Sequence, residues 1–192
     1  MKQLLFAAIA AIAGASTLLS GCVPLVVGAA VAGTAVVATD RRSVGVQADD
    51  EAVELKIASS INTGYGDRVH VNATCYNGIV LLTGEAPTAD VVAAIGETAR
   101  TTAKVRVVHN EIVVAAVSPF GSRSNDSYIT SKVKARLVEA NKVPANLIKV
   151  VTERQVVYLM GIVSHAEGDA AGQIAATTSG VQRVVKVFEY TD

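Results

Sequence analysis

The chain has 192 residues, 51% of them apolar, and its 17 basic and 17 acidic side chains leave no formal charge at neutral pH. Only two cysteines are present, Cys22 and Cys75, which excludes a disulfide-stapled scaffold. The charge is uneven: residues 40–116 carry seven Lys or Arg against ten Asp or Glu, and residues 117–192 carry nine against seven. Such an asymmetry implies different partners for the two halves.

In chain order, the first feature is an export signal. Met1-Lys2 is followed by an apolar run from Leu4 to Leu19, then by Ser20 and Gly21 before Cys22. A basic start, an apolar stretch and small residues at a cleavage point define a secretory signal. Leu19-Ser20-Gly21-Cys22 resembles the lipobox of bacterial lipoproteins. The resemblance implies that residues 1–21 are removed, that the Cys22 sulfur takes a diacylglycerol and that the new amino terminus takes a third acyl chain. Several acyl chains bury far more methylene groups than one, so such an anchor is effectively permanent. Val23 rather than Asp follows the cysteine, which resembles lipoproteins sent to the outer membrane and implies attachment at its periplasmic face. The apolar run from Val23 to Ala38 is interrupted by Pro24, Gly28 and Gly33. It is too short and too broken for a transmembrane helix, so residues 22–39 read as a lipidated tether.

The 171 residues after the signal suffice for one large domain or two small ones. They repeat at a spacing of about 76 residues. Asp50-Glu-Ala-Val53-Glu-Leu-Lys56-Ile57 matches Asp126-Ser-Tyr-Ile129-Thr-Ser-Lys132-Val133. Gly78–Gly84 matches Gln155–Gly161, and Val105–Val108 matches Val181–Val184. Each copy predicts a helix N-capped by Asp50 or Asp126. Its apolar positions are Val53, Ile57 and Ile61 in the first copy, and Ile129, Val133, Leu137 and Ala140 in the second. A hairpin follows. Val69, Val71, Ala73 and Cys75 alternate with His70, Asn72, Thr74 and Tyr76, and Asn77-Gly78 is a strong two-residue turn signal. The second copy has Arg154-Gln155 there, which predicts a looser or longer turn. A second helix is expected over about Thr88–Thr101 and Ala166–Thr178, and a last strand over about Val105–Val114 and Arg183–Tyr190. Ser118-Pro119-Phe120-Gly121-Ser122-Arg123-Ser124 reads as a linker by composition. Modules of about 70 residues are marginal alone, which favours docking of the two.

The pattern Asp-x-x-[Ile/Val]-x-x-Lys-[Ile/Val], then a valine-rich hairpin ending in glycine, then Gly180-Val181-Gln182-Arg183-Val184, resembles the BON domain. The first copy ends in Ala103-Lys104-Val105 and lacks that glycine. The likeness covers nearly the whole mature chain. It implies an α+β fold of two tandem BON-type sandwiches, each a three-stranded mixed sheet covered by two helices, over residues 40–116 and 125–192 with residues 117–124 between them. It also implies an outer-membrane lipoprotein that binds anionic phospholipid and supports envelope integrity.

Catalysis finds no residues to carry it. His70, His109 and His165 have no Ser, Cys or carboxylate at a spacing that makes a triad, and each reads as a surface histidine. Cys75 shares a strand face with Val71 and Ala73, so it reads as a buried structural thiol. No His/Cys pairing has metal-ligand spacing, no glycine-rich loop can cradle a phosphate, and no aromatic-basic surface fits nucleic acid. The sequence therefore predicts no enzyme, cofactor, metal or small-molecule substrate.

One surface stands out when the copies are compared. Tyr128, Lys132 and Arg136 form a stripe along one edge of the helix, where the first copy has Ala52, Lys56 and Ser60. Glu51 and Glu54 are likewise replaced by Ser127 and Thr130. A tyrosine ring suits headgroup depth, and each basic side chain near an anionic leaflet contributes on the order of 1 kcal/mol. The second reading is an adaptor for outer-membrane assembly or cell-wall remodelling proteins, served by the acidic run Asp49-Asp50-Glu51.

Overall fold

A computed structural model describes residues 40–192. The signal, Cys22 and the tether lie outside the described residues. The first module runs α1 (Val44–Tyr65), a 3-10 turn at Gly66–Arg68, β1 (His70–Tyr76), β2 (Ile79–Ala86), α2 (Ala89–Arg100) and β3 (Val107–Val114). The second repeats this order: α3 (Phe120–Ala140), a 3-10 turn at Ala145–Leu147, β4 (Lys149–Glu153), β5 (Val156–Val163), α4 (His165–Ala176) and β6 (Arg183–Tyr190). In each module the hairpin is antiparallel and the strand after the second helix joins it in parallel, giving the orders β1-β2-β3 and β4-β5-β6. The expected three-stranded mixed sheets under two helices are present.

Strand alternation separates two kinds of core. On one face of the first sheet, Cys75, Val80, Leu82 and Ile112 pack against Val53, Ile57 and Ile61 of α1 and Ile95 and Ala99 of α2. Val150, Val157 and Leu159 pack in the same way against Ile129, Val133 and Leu137 of α3 and Ile174 of α4. The opposite faces meet each other. Tyr76 and Leu81 of the first sheet form one buried cluster with Tyr158, Met160 and Val187 of the second. The layers thus run helix, sheet, sheet, helix. The residues that alternate with the first module's core therefore face the second module rather than water, which corrects the expectation for His70 and its neighbours. Burial of each such large apolar side chain is worth about 1.5–3 kcal/mol, a decisive term for modules this small. Ion pairs rim the seam: Lys149 to Glu54 at 2.6 Å and Arg106 to Glu189 at 3.1 Å.

The two aspartates do not cap helices. Helix α1 is capped by the Ser43 side chain, which accepts from the Val46 amide, and α3 begins at Phe120, inside the stretch read as linker. Asp50 and Asp126 sit one to two turns inside their helices, 4% exposed, and hold the hairpin turns instead. Asp50 accepts from the amides of Asn77 at 2.7 Å and Gly78 at 2.8 Å. Asp126 accepts from those of Arg154 and Gln155, both at 2.9 Å. The second turn is therefore as tight as the first, against the expectation of a longer loop. Arg154 and Gln155 take φ of 51° and 62°, beside 53° and 73° at Asn77 and Gly78. Left-handed backbone costs a non-glycine residue about 1–2 kcal/mol, and the paired bonds to a buried carboxylate offset it. Lys104 behaves similarly: it keeps a left-handed φ of 72° where the second copy has Gly180. Gly84 matters for a different reason. A Cβ there would lie 1.9 Å from the His70 carbonyl oxygen, so only glycine lets β1 start opposite the end of β2.

Asp126→Ala is expected to cost about 2–4 kcal/mol of unfolding free energy in urea denaturation. Gln155→Gly is expected to add about 1 kcal/mol to the wild-type value by relieving the turn. An Asp126→Ala chain as stable as wild type would mean that the aspartate does not hold the hairpin.

Candidate functional site

The structure brings the three stripe residues together on α3. Tyr128 is 63% exposed. The Lys132 ammonium lies 4.7 Å from its ring centroid, a cation–π contact, and also donates to the Ser179 carbonyl. Arg136 donates to the Ile174 carbonyl at 3.1 Å, to the Thr178 hydroxyl at 2.8 Å and to the Thr177 hydroxyl at 3.2 Å. Those groups form the C-terminal end of α4, where the last-turn carbonyls and the helix dipole attract cations. Both basic residues are half-buried, and both clamp α3 to α4 as well as edging the tyrosine. Beside Arg136 a cavity of about 550 Å³ opens, lined also by Ala140, Lys142, Gln173, Ile174 and Thr177. In the first module Ala52, Lys56 and Ser60 are all exposed, and the Ser60 hydroxyl only donates back to the Lys56 carbonyl at 2.9 Å.

Cys75 is fully buried, as its strand phase predicts. Its thiol donates to Asp50 at 3.2 Å. Burial first, then the bond to Asp50, pushes the thiol up to about 12. His109 and His165 are exposed, as expected. His165 stacks on Tyr190 and contacts Asp192 at 2.8 Å.

His70 differs. It lies at the seam with Glu85, opposite it in the β1–β2 register, and Glu153 at the end of β4, and one ligand atom from each of the three falls within 4.8 Å of the others. Glu85 is 0% exposed and Glu153 6%. Burial first, then the charges of Glu85 and Asp126, pushes the Glu153 carboxyl up to about 7. Burial and the Arg123 charge hold the His70 imidazole below its ordinary value. A carboxyl raised in the folded state contributes its full stability below the ordinary value of 4.5 and loses it as pH rises through about 7. Spacing rules miss this cluster because its members lie far apart in sequence. The signal was in the repeat: Glu85 stands where the second copy has Ile162, and Glu153 where the first has Tyr76.

The family profile of the BON domain matches residues 49–116 and 125–192. Over 186 residues the chain is 38% identical to the outer membrane lipoprotein DolP of Haemophilus influenzae, covering 96% of both proteins. It is 36% identical over 153 residues to a 21 kDa hemolysin of Actinobacillus pleuropneumoniae, covering 79% of each. The chain belongs to the BON-domain family. Its particular form is that of a DolP-like outer membrane lipoprotein with two BON domains. No helix among the described residues is long and apolar enough to cross a membrane.

In the native protein at mildly alkaline pH, Cys75 is expected to react with a thiol reagent about a hundredfold more slowly than in denaturant. Equal rates would place the thiol on the wrong side of its strand.

Proposed function

We propose that the second BON module binds anionic phospholipid through Tyr128, Lys132 and Arg136, while an acylated Cys22 holds the chain at the periplasmic face of the outer membrane in support of envelope integrity. The observation that carries this reading is the exposed Tyr128 ring with a lysine ammonium against it, two turns before the cavity beside Arg136, on a helix whose first-module counterpart offers Ala52 and Ser60 at the matching positions. Tyr128 supplies apolar insertion, and Lys132 supplies charge at the phosphate level. Arg136 holds α3 against the end of α4 and adds its charge to the same edge. Anchoring raises the effective concentration of headgroups at this site, so weak contacts suffice. The chemistry is that of a binding module rather than an enzyme. The adaptor reading loses much of its motif, because Asp49 pairs with Lys104 at 2.5 Å and Asp50 is buried under the hairpin.

The described residues hold both module cores and the seam, so a soluble 40–192 fragment can be tested by co-sedimentation with anionic vesicles over a salt series. Tyr128→Ala is expected to weaken binding about tenfold at all salt concentrations. Lys132→Glu is expected to weaken it about thirtyfold at low salt, and less as salt rises. Lys56→Glu in the first module is expected to have little effect. Normal binding by Tyr128→Ala, or equal damage from Lys56→Glu, would refute the site. Incorporation of labelled palmitate into the full chain, lost in Cys22→Ala, tests the anchor separately.

A further inference from the structure

We propose that His70, Glu85 and Glu153 form a divalent transition-metal site that bridges the two BON modules. The three ligand atoms lie within 4.8 Å of one another, with the His70 Nε2 3.9 Å from a Glu153 oxygen. They come from β1, β2 and β4, two from one module and one from the other. One imidazole and two carboxylates suit Zn²⁺ and its neighbours, with protein ligands at about 2.0–2.2 Å and a fourth position left to water. A cavity of about 200 Å³ opens beside His70 and Glu153, lined also by Asn72, Arg123 and Asp126, and gives that water access. Small side-chain rotations would draw the ligands to the roughly 3.5 Å mutual spacing that such bond lengths require.

The protein's own partners leave these carboxylates poorly served. Glu85 accepts from the Ser118 amide at 3.3 Å and from Arg154 at 3.5 Å, and Glu153 accepts from Asn72 at 3.4 Å. Charge-assisted bonds are normally about 2.7–2.9 Å. Buried unmatched side-chain atoms gather around the same place. Among the described residues they are the Thr83 hydroxyl, the Ser118 hydroxyl and the Arg123 Nε. Thr83 is 1% exposed and stands two pairs along from Glu85, on the same face of β2. Ser118 bonds Glu85 through its amide, and Arg123 lines the cavity with His70. Two carboxyl groups and an imidazole crowded together away from water, with unmatched polar atoms around them, are groups that a divalent cation would draw together. Arg154 is the cation that pairs with Glu85 at present, through a side chain 49% exposed, while Arg123 stands on the cavity wall beside His70.

The test is titration of the full chain, purified in detergent and stripped with chelator, with Zn²⁺ by calorimetry and Co²⁺ by visible absorption. One ion per chain is expected, with a higher melting temperature and cobalt bands of nitrogen and oxygen ligation. His70→Ala and Glu153→Gln should each weaken binding at least tenfold. Arg154→Ala should tighten it by removing the competing cation, and this variant does not depend on replacing the fully buried Glu85. His165→Ala should leave binding unchanged. Absence of binding, a sulfur-to-cobalt charge-transfer band, or loss of the ion in His165→Ala but not in Glu153→Gln would overturn the proposal.

Discussion

The face-to-face contact of the two sheets governs the rest of this structure. A three-stranded sheet under two helices buries one face within its own module and leaves the other apolar. Leu81 and Met160 sit on those second faces, and neither is exposed. Each module therefore completes the other's core. The contact also makes the seam a low-dielectric place, so the polar residues that share its faces with the apolar centre acquire properties that an exposed strand would not give them. His70, Glu85 and Glu153 are the clearest instance.

A second device recurs in both copies: a helix aspartate holding a hairpin. Asp50 and Asp126 each accept two turn amides. They lock the register of the first two strands to the first helix, and so fix which side chains face the seam and which face the helices. The motif residue that marks each repeat is thus a tertiary connector. Its conservation between copies, despite Asn77-Gly78 in one turn and Arg154-Gln155 in the other, follows from the geometry it enforces.

Much of this was legible in the sequence. The repeat, the helix core positions, the three-stranded sheets and the buried Cys75 follow from periodicity and from comparing one copy with the other. The Tyr128/Lys132/Arg136 stripe was visible as divergence between copies under one fold constraint. What periodicity could not reveal was long-range. An aspartate before an apolar helical run reads as an N-cap, and only the fold shows Asp50 and Asp126 turned toward hairpins 27 or more residues away. Alternation told that His70 and Tyr76 point away from the helices, but not that a second sheet lies there. The clamping of Lys132 and Arg136 onto the end of α4 was hidden for the same reason.

The modules thus differ by surface rather than by fold. The same scaffold presents alanine and serine on α1 and a tyrosine with two cations on α3, while both rely on one shared seam. Native-state hydrogen exchange of the 40–192 fragment carrying Leu81→Lys probes that dependence. Amides of β5 and β6, in the other module, should lose protection together with those of β2. Full protection of β5 and β6 beside an opened β2 would show that the modules stand independently, and would contradict that dependence.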